Sequence, residues 1–160
     1  MVAATPGSGK RTTPPTAVAY PRLGLTVPVV PTGITPDGQM EIPGDAATAG
    51  WYRYGRTPSE ATGNTVIAAH NGSPQTPVGP FNALAEARKG DEIRVRDTRD
   101  RQRTYRVVSV EHLDKEGLDF TPYFARTGRP SLVLVTCGGR WLPERNTYSD
   151  NVIVVADPVD

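Results

Sequence analysis

Residues 64–72 read NTVIAAHNG and residues 131–139 read SLVLVTCGG. Each begins as an apolar, β-branched run, ends at a chemically capable side chain (His70 or Cys137), and passes at once into small, turn-forming residues. Runs without polar alternation fit strands buried on both faces. A side chain at the end of such a strand is held by a rigid scaffold yet open to a substrate. A cysteine nucleophile needs a base or ion-pair partner beside its sulfur, and a spatially adjacent imidazole is the usual solution. His70 and Cys137 stand 67 positions apart, so neighbouring central strands would have to bring them together.

The flanking sequence divides into short strands separated by turn chemistry. Segments 17–23 and 26–30 are β-rich and interrupted by Pro21 and Pro28, which suits edge positions or bulges. Thr35-Pro36-Asp37-Gly38 is a turn: Pro sets φ at its second position and Gly accepts positive φ at its end. A short strand is expected over 39–42 and a helical turn within 45–54 that ends at Gly50. A short helix is expected over 81–87, stopped at Gly90. Segments 91–96 and 103–110 alternate apolar with polar residues, so one face is solvated, and residues 97–100 form their hairpin connection. Residues 111–129 form a long excursion with a helical turn near 120–124. Residues 139–147 read as loop, and 148–156 as the last strand. About eight short strands with few helices imply an all-β barrel or sandwich.

The chain has 160 residues and 17.2 kDa, enough for one domain with a real core. Residues 1–16, MVAATPGSGKRTTPPT, show no hydrophobic period and read as a disordered tail or linker, leaving 17–160 as the folded domain. The tail lacks the apolar core of a signal peptide, and its composition suits a spacer between an anchor and a domain. Eighteen basic against 17 acidic residues give a net charge of +1, which argues against nucleic acid as a partner. No apolar run approaches the roughly 20 residues of a membrane span. Gly and Pro, 16 each, make up a fifth of the chain, which marks a turn-rich domain rather than disorder throughout. With Cys137 the single cysteine, an intrachain disulfide or a multi-cysteine metal site is impossible. An inert buried thiol, an intermolecular bridge or a nucleophile remains.

Acyl transfer from a thiolate also needs donors aimed at the developing oxyanion, and an arginine supplies a charge-assisted fork. Arg140 and Arg145 lie between Cys137 and the final strand. His112 follows a charged, half-exposed strand and reads as a solvated surface histidine in a polar loop. With unperturbed pKa values of roughly 8.5 for cysteine and 6.5 for histidine, the thiolate–imidazolium pair is about 1% of the neutral pair, so turnover would be slow.

In this setting Val133-Leu134-Val135-Thr136-Cys137 resembles the TLxTC signature of the sortases, with Val133 in place of the first Thr. Val66-Ile67-Ala68-Ala69-His70 resembles their IAGH strand, with Ala69 where Gly is common. Pro36-Asp37-Gly38, Ile42-Pro43, Gly50-Trp51-Tyr52, Gly90-Asp91, Cys137-Gly138-Gly139 and Tyr148-Ser149-Asp150-Asn151-Val152 together resemble the actinobacterial class F group, over roughly 17–158. The resemblance implies a closed eight-stranded β-barrel of a cell-surface cysteine transpeptidase. Such an enzyme cleaves an LPxTG-like sorting signal after its Thr, forms a thioacyl-enzyme and passes the acyl group to an amine. By position Cys137 matches the nucleophile, His70 the acid/base partner and Thr136 a residue bordering the substrate groove. Arg145 matches the arginine, with Arg140 the alternative.

The resemblance implies no cofactor. Asp114, Glu116 and Asp119 lack metal-loop spacing, so no metal is expected. Leu113, Leu118 and Phe120, with Tyr123 and Phe124, either wall an apolar groove for the Leu-Pro part of the signal or merely fasten their loop to the barrel. The implied partners are proteins bearing an LPxTG-like C-terminal signal and an amine acceptor, either a cell-wall precursor or a peptide. The expected location is the outer face of the membrane, reached through an N-terminal anchor absent from this chain. The rival readings are a non-catalytic β-barrel binding module with a core cysteine, and another Cys/His acyl transferase such as an L,D-transpeptidase. The signature of the latter sets His-Gly directly before the cysteine, where this chain has Val135-Thr136.

Overall fold

The computed structural model describes residues 13–114, 120–142, 144 and 147–159. Among these, eight strands close into a barrel: β1 (Pro15–Tyr20), β2 (Leu25–Thr32), β3 (Ala49–Tyr52), β4 (Asn64–Ala68), β5 (Glu92–Asp97), β6 (Gln102–Asp114), β7 (Ser131–Leu142) and β8 (Thr147–Pro158). Their order around the barrel is β1-β2-β3-β4-β7-β8-β6-β5. Two pairs are parallel, β2 with β3 and β4 with β7, and the others are antiparallel. Closure leaves no free edge, which disposes of the aggregation hazard of exposed strands.

Alternation sorts side chains between the barrel interior and its outer face. On β5, Ile93 and Val95 are buried while Arg94 and Arg96 face water. On β4 every residue from Thr65 to Ala68 is buried, as an unbroken apolar run requires. Ile67 belongs to the interior core with Tyr20, Phe81, Tyr105 and Leu134. Val66 belongs to an outer cluster with Val133 and Ile153, covered by Met40, Tyr52, Phe120 and Phe124. Two layers therefore bury the central strands.

Several expectations are corrected. Ordered structure begins before Ala17: β1 starts at Pro15, paired with Asp97, and buried Thr13 shares a hydrogen bond with Ser59 at 2.5 Å. A proline fits a strand's first residue because no ladder donor is needed there. Pro28 lies on no edge, but one residue before the ladder between β2 and β3 begins at Val29, and Pro21 opens a short 3-10 turn. The alanine-rich segment 45–50 does not end a helix at Gly50. Thr48 closes a turn on Asp45, and β3 runs through Gly50, because pairing with both β2 and β4 overrides helix propensity. The segment 39–42 makes only one bridge, Ile34 with Met40. The helix expected over 81–87 is a 3-10 helix, Pro80–Glu86. β6 continues to Asp114, so exposed His112 stands on a strand opposite Val152 rather than in a loop. β7 likewise continues to Leu142, past a register shift between Gly138 and Trp141, so Arg140 belongs to a strand.

Candidate active site

The parallel ladder between β4 and β7 pairs Asn64 with Ser131, Thr65 with Leu132, Val66 with Val133, Ile67 with Leu134 and Ala68 with Val135. Past the last pair, the Ala69 N–H donates to the Val135 carbonyl at 3.2 Å. The buried Thr136 hydroxyl donates to the Ala69 carbonyl at 2.9 Å. The ladder's last pair is Ala68 with Val135, and His70 and Cys137 each follow it by two residues. On its other side β7 pairs Cys137 with Asn151 of β8. The side chains of Cys137 and Arg140 lie outside the described residues, as do Leu118 and Arg145 altogether.

His70 is followed by a loop built to stay put. Buried Asn71 accepts from the Gly79 N–H at 2.8 Å, so the loop's two ends meet. Ser73 and Thr76 exchange backbone hydrogen bonds of 2.9 and 3.1 Å. Asp45 Oδ1 accepts from the Thr76 hydroxyl at 2.6 Å, the Ala47 N–H at 3.0 Å and the Ser73 hydroxyl at 3.4 Å. The Ala46 N–H donates to Ser73 Oγ at 3.0 Å. The Thr76 hydroxyl, then the Ala47 amide, hold the Asp45 carboxyl below the usual carboxylate range. A Cβ on Gly72 would lie 2.2 Å from the Pro77 carbonyl oxygen, so only glycine allows the chain to turn so tightly after His70.

A groove of about 840 Å³ runs along the outer face of β4. His70, Thr136 and Asn151 line it, as do Val66, Ala68 and Val135. Its wall on one side is the loop before β7. The Asn64 N–H donates to the Ala125 carbonyl at 2.7 Å and its side-chain amide to the Tyr123 carbonyl at 3.0 Å. Gly63, at φ +78°, passes so close that a Cβ would sit 2.5 Å from the Arg126 carbonyl carbon. The Phe124 ring meets Tyr52 edge-on, with centroids 4.9 Å apart. Tyr123 donates to Glu111 at 2.7 Å, and burial, with that carboxylate, pushes its phenol up to about 12.

The sequence-predicted binding residues thus divide. Phe120 lines the groove and also packs on the Val66–Val133–Ile153 cluster, whereas Leu113 packs on that cluster without lining the groove. Thr136 lines the groove, but its hydroxyl is committed to the junction between β4 and β7. Sequence reasoning did not single out Met40, Tyr52, Tyr54, Arg126 or Asn151 as lining residues. A partial signal exists for Met40: the Pro36-Asp37-Gly38 turn, closed by the Gly38 N–H on the Thr35 carbonyl at 2.9 Å, folds residue 40 back beside Ile34. Among the described residues the cationic side chain lining the groove is Arg126, while the two arginines favoured from sequence fall outside the side chains described.

A family model for the sortase domain matches residues 18–159. No curated protein sequence matches the chain. Among solved structures, sortase C2 of group B Streptococcus pilus island 1 superposes with a TM-score of 0.67 at 21% identity, covering 90% of this chain and 73% of that one. Sortase C1 of Streptococcus suis gives 0.68 at 18% identity, covering 93% and 74%. Sortase C-1 of Actinomyces oris gives 0.67 at 18% identity, covering 90% and 73%. Sortase C1 of the same group B pilus island gives 0.66 at 16% identity, and this chain spans 63% of its length. At these identities the structural likeness establishes the fold, and the family model covers nearly all of the barrel; the chain belongs to the sortase family.

Proposed function

We propose that this barrel is a cysteine transpeptidase acting on an LPxTG-like sorting signal. The observation that supports the reading is the β4–β7 ladder, whose last pair, Ala68 with Val135, lies two residues before His70 and Cys137, beside an apolar groove that His70 and Thr136 line. In the first step the Cys137 thiolate attacks the Thr carbonyl carbon of the signal. The Thr–Gly C–N bond breaks, a thioester forms, and the His70 imidazolium gives its proton to the departing Gly amine. In the second step an amine attacks the thioester carbonyl, His70 takes the amine's proton, and the thiolate leaves. Arg145, with Arg140 as the alternative, stabilises the oxyanion of both tetrahedral intermediates. Apolar residues such as Val66, Met40, Tyr52 and Phe120 suit the Leu-Pro part of the signal.

The quoted motifs from Pro36 to Val152 favour the class F group, acting at the outer cell surface on proteins that carry the signal, with a cell-wall precursor or peptide amine as acceptor. No helix among the described residues is long and apolar enough to cross a membrane.

Incubation with a fluorogenic LPxTG-type peptide tests the reading. Cleavage is expected for the native chain, none for Cys137→Ala or His70→Ala, and turnover within a few-fold of native for His112→Ala. Arg145→Ala is expected to lose more than Arg140→Ala. Cleavage that survives Cys137→Ala would refute the mechanism.

A further inference from the structure

The groove's far end carries a charge that the apolar floor does not need. From His70 back to Asn64 the chain spans roughly 20 Å at about 3.3 Å per residue. At the Asn64 end Arg126 lines the groove, and among the described lining residues it alone carries a permanent charge. Its backbone is fixed: its carbonyl accepts from Arg56 Nε at 2.8 Å, and its peptide lies against Gly63. Its guanidinium makes no ion pair among the described residues. Arg56 is neutralised by Glu60 at 2.8 Å. Arg53 stacks on Tyr54, a lining residue, with its guanidinium carbon 5.1 Å from the ring centroid, and adds a second cation at the rim. Among the described residues no carboxylate lines the groove; Asp37 is engaged by Thr35, Glu41 by the Gly33 N–H and Glu111 by Tyr123.

The chemistry suits the acyl half of a substrate to this length. The acyl half stays on the enzyme as the thioester, whereas the leaving and incoming amines must exchange with solvent. Laid along the groove from His70 towards Asn64, the acyl half meets the apolar residues Ala68, Val66 and Phe120. Four residues, Leu-Pro-x-Thr, take up about 13 Å at the same rise. One or two residues before the Leu then reach Arg126. We propose that the Arg126 end of the groove is a subsite for an acidic side chain one or two positions before the Leu of the sorting signal. This subsite rests on the transpeptidase reading above. Its attraction is that of a solvent-accessible ion pair, which discriminates by a few-fold and weakens with salt.

Three labelled peptides test it, each with the same LPxTG core preceded by Asp-Asp, Ala-Ala or Lys-Lys. Affinity is read by chemical-shift titration and cleavage is followed in parallel, for the native chain, Arg126→Ala and Arg126→Glu. At low salt the native chain should bind the Asp-Asp peptide about three- to fivefold more tightly than the Lys-Lys peptide. Arg126→Ala should flatten the series, Arg126→Glu should invert it, and about 0.5 M salt should erase it. Equal affinities in the native chain, or an acidic preference that survives Arg126→Glu, would overturn the subsite. If all peptides are then cleaved equally well, the transpeptidase reading stands without it. Flank-dependent affinity with no cleavage of any peptide would sustain the subsite and overturn that reading.

Discussion

Single residues decide whether the two central strands meet in the right register. Thr136 is the clearest case, because its buried hydroxyl satisfies the Ala69 carbonyl where the ladder gives out. Thr136→Val keeps the shape and removes the donor, leaving that carbonyl unmet. A loss of about 1–3 kcal/mol is expected in denaturant unfolding, with Thr136→Ser recovering most of it. Peptide turnover should fall in the same order, since positions 70 and 137 follow directly. At this scale much was legible in the sequence. A run such as Thr65-Val66-Ile67-Ala68 leaves no solvated face, so its burial follows from composition alone. Arg126 was not legible as a lining residue. An exposed arginine in a polar loop carries no local pattern, and only the close approach of Gly63 brings it to the groove.

At the level of elements, the loop behind His70 is held by a turn from another part of the chain. Asp45 collects three donors, two of them side chains of that loop. Asp45→Ala should loosen the loop and lower kcat/KM by about tenfold, with KM little changed, because small displacements of an acid/base group are costly. Asp45→Asn retains an acceptor oxygen and should recover part of the loss. Steady-state kinetics with the fluorogenic peptide distinguish the two. The elements missed from sequence share a physical cause. The alanines at 46, 47 and 49 favour a helix locally, yet β3 forms because two neighbouring strands offer it a ladder. β6 and β7 run longer than their apolar cores because each pairs with β8 along nearly its whole length.

Across the whole molecule, closure of the barrel depends on joints as well as on the core. Asp91 accepts from Arg22 Nε at 2.8 Å, Tyr20 Oη at 2.5 Å and the Arg88 N–H at 2.9 Å, tying the end of β1 to the entrance of β5. The Arg22 guanidinium, with the Tyr20 hydroxyl, holds its carboxyl down at about 2. An unfolded aspartate titrates near 3.9. The folded state thus favours the ionised form, and the resulting stability is present above about pH 4 and lost as pH falls through about 2. Asp91→Asn should melt lower than the native chain at pH 7, and the gap should close between about pH 4 and pH 2 in thermal scans. The central claim, that this fold makes positions 70 and 137 act as one unit, is best tested on the single cysteine itself. The rate of alkylation of Cys137 by iodoacetamide is measured against pH for the native chain, His70→Ala and His112→Ala. The account predicts a low-pH limb of reactivity from the thiolate–imidazolium pair that vanishes in His70→Ala and survives in His112→Ala. Superimposable profiles for the native chain and His70→Ala would contradict it.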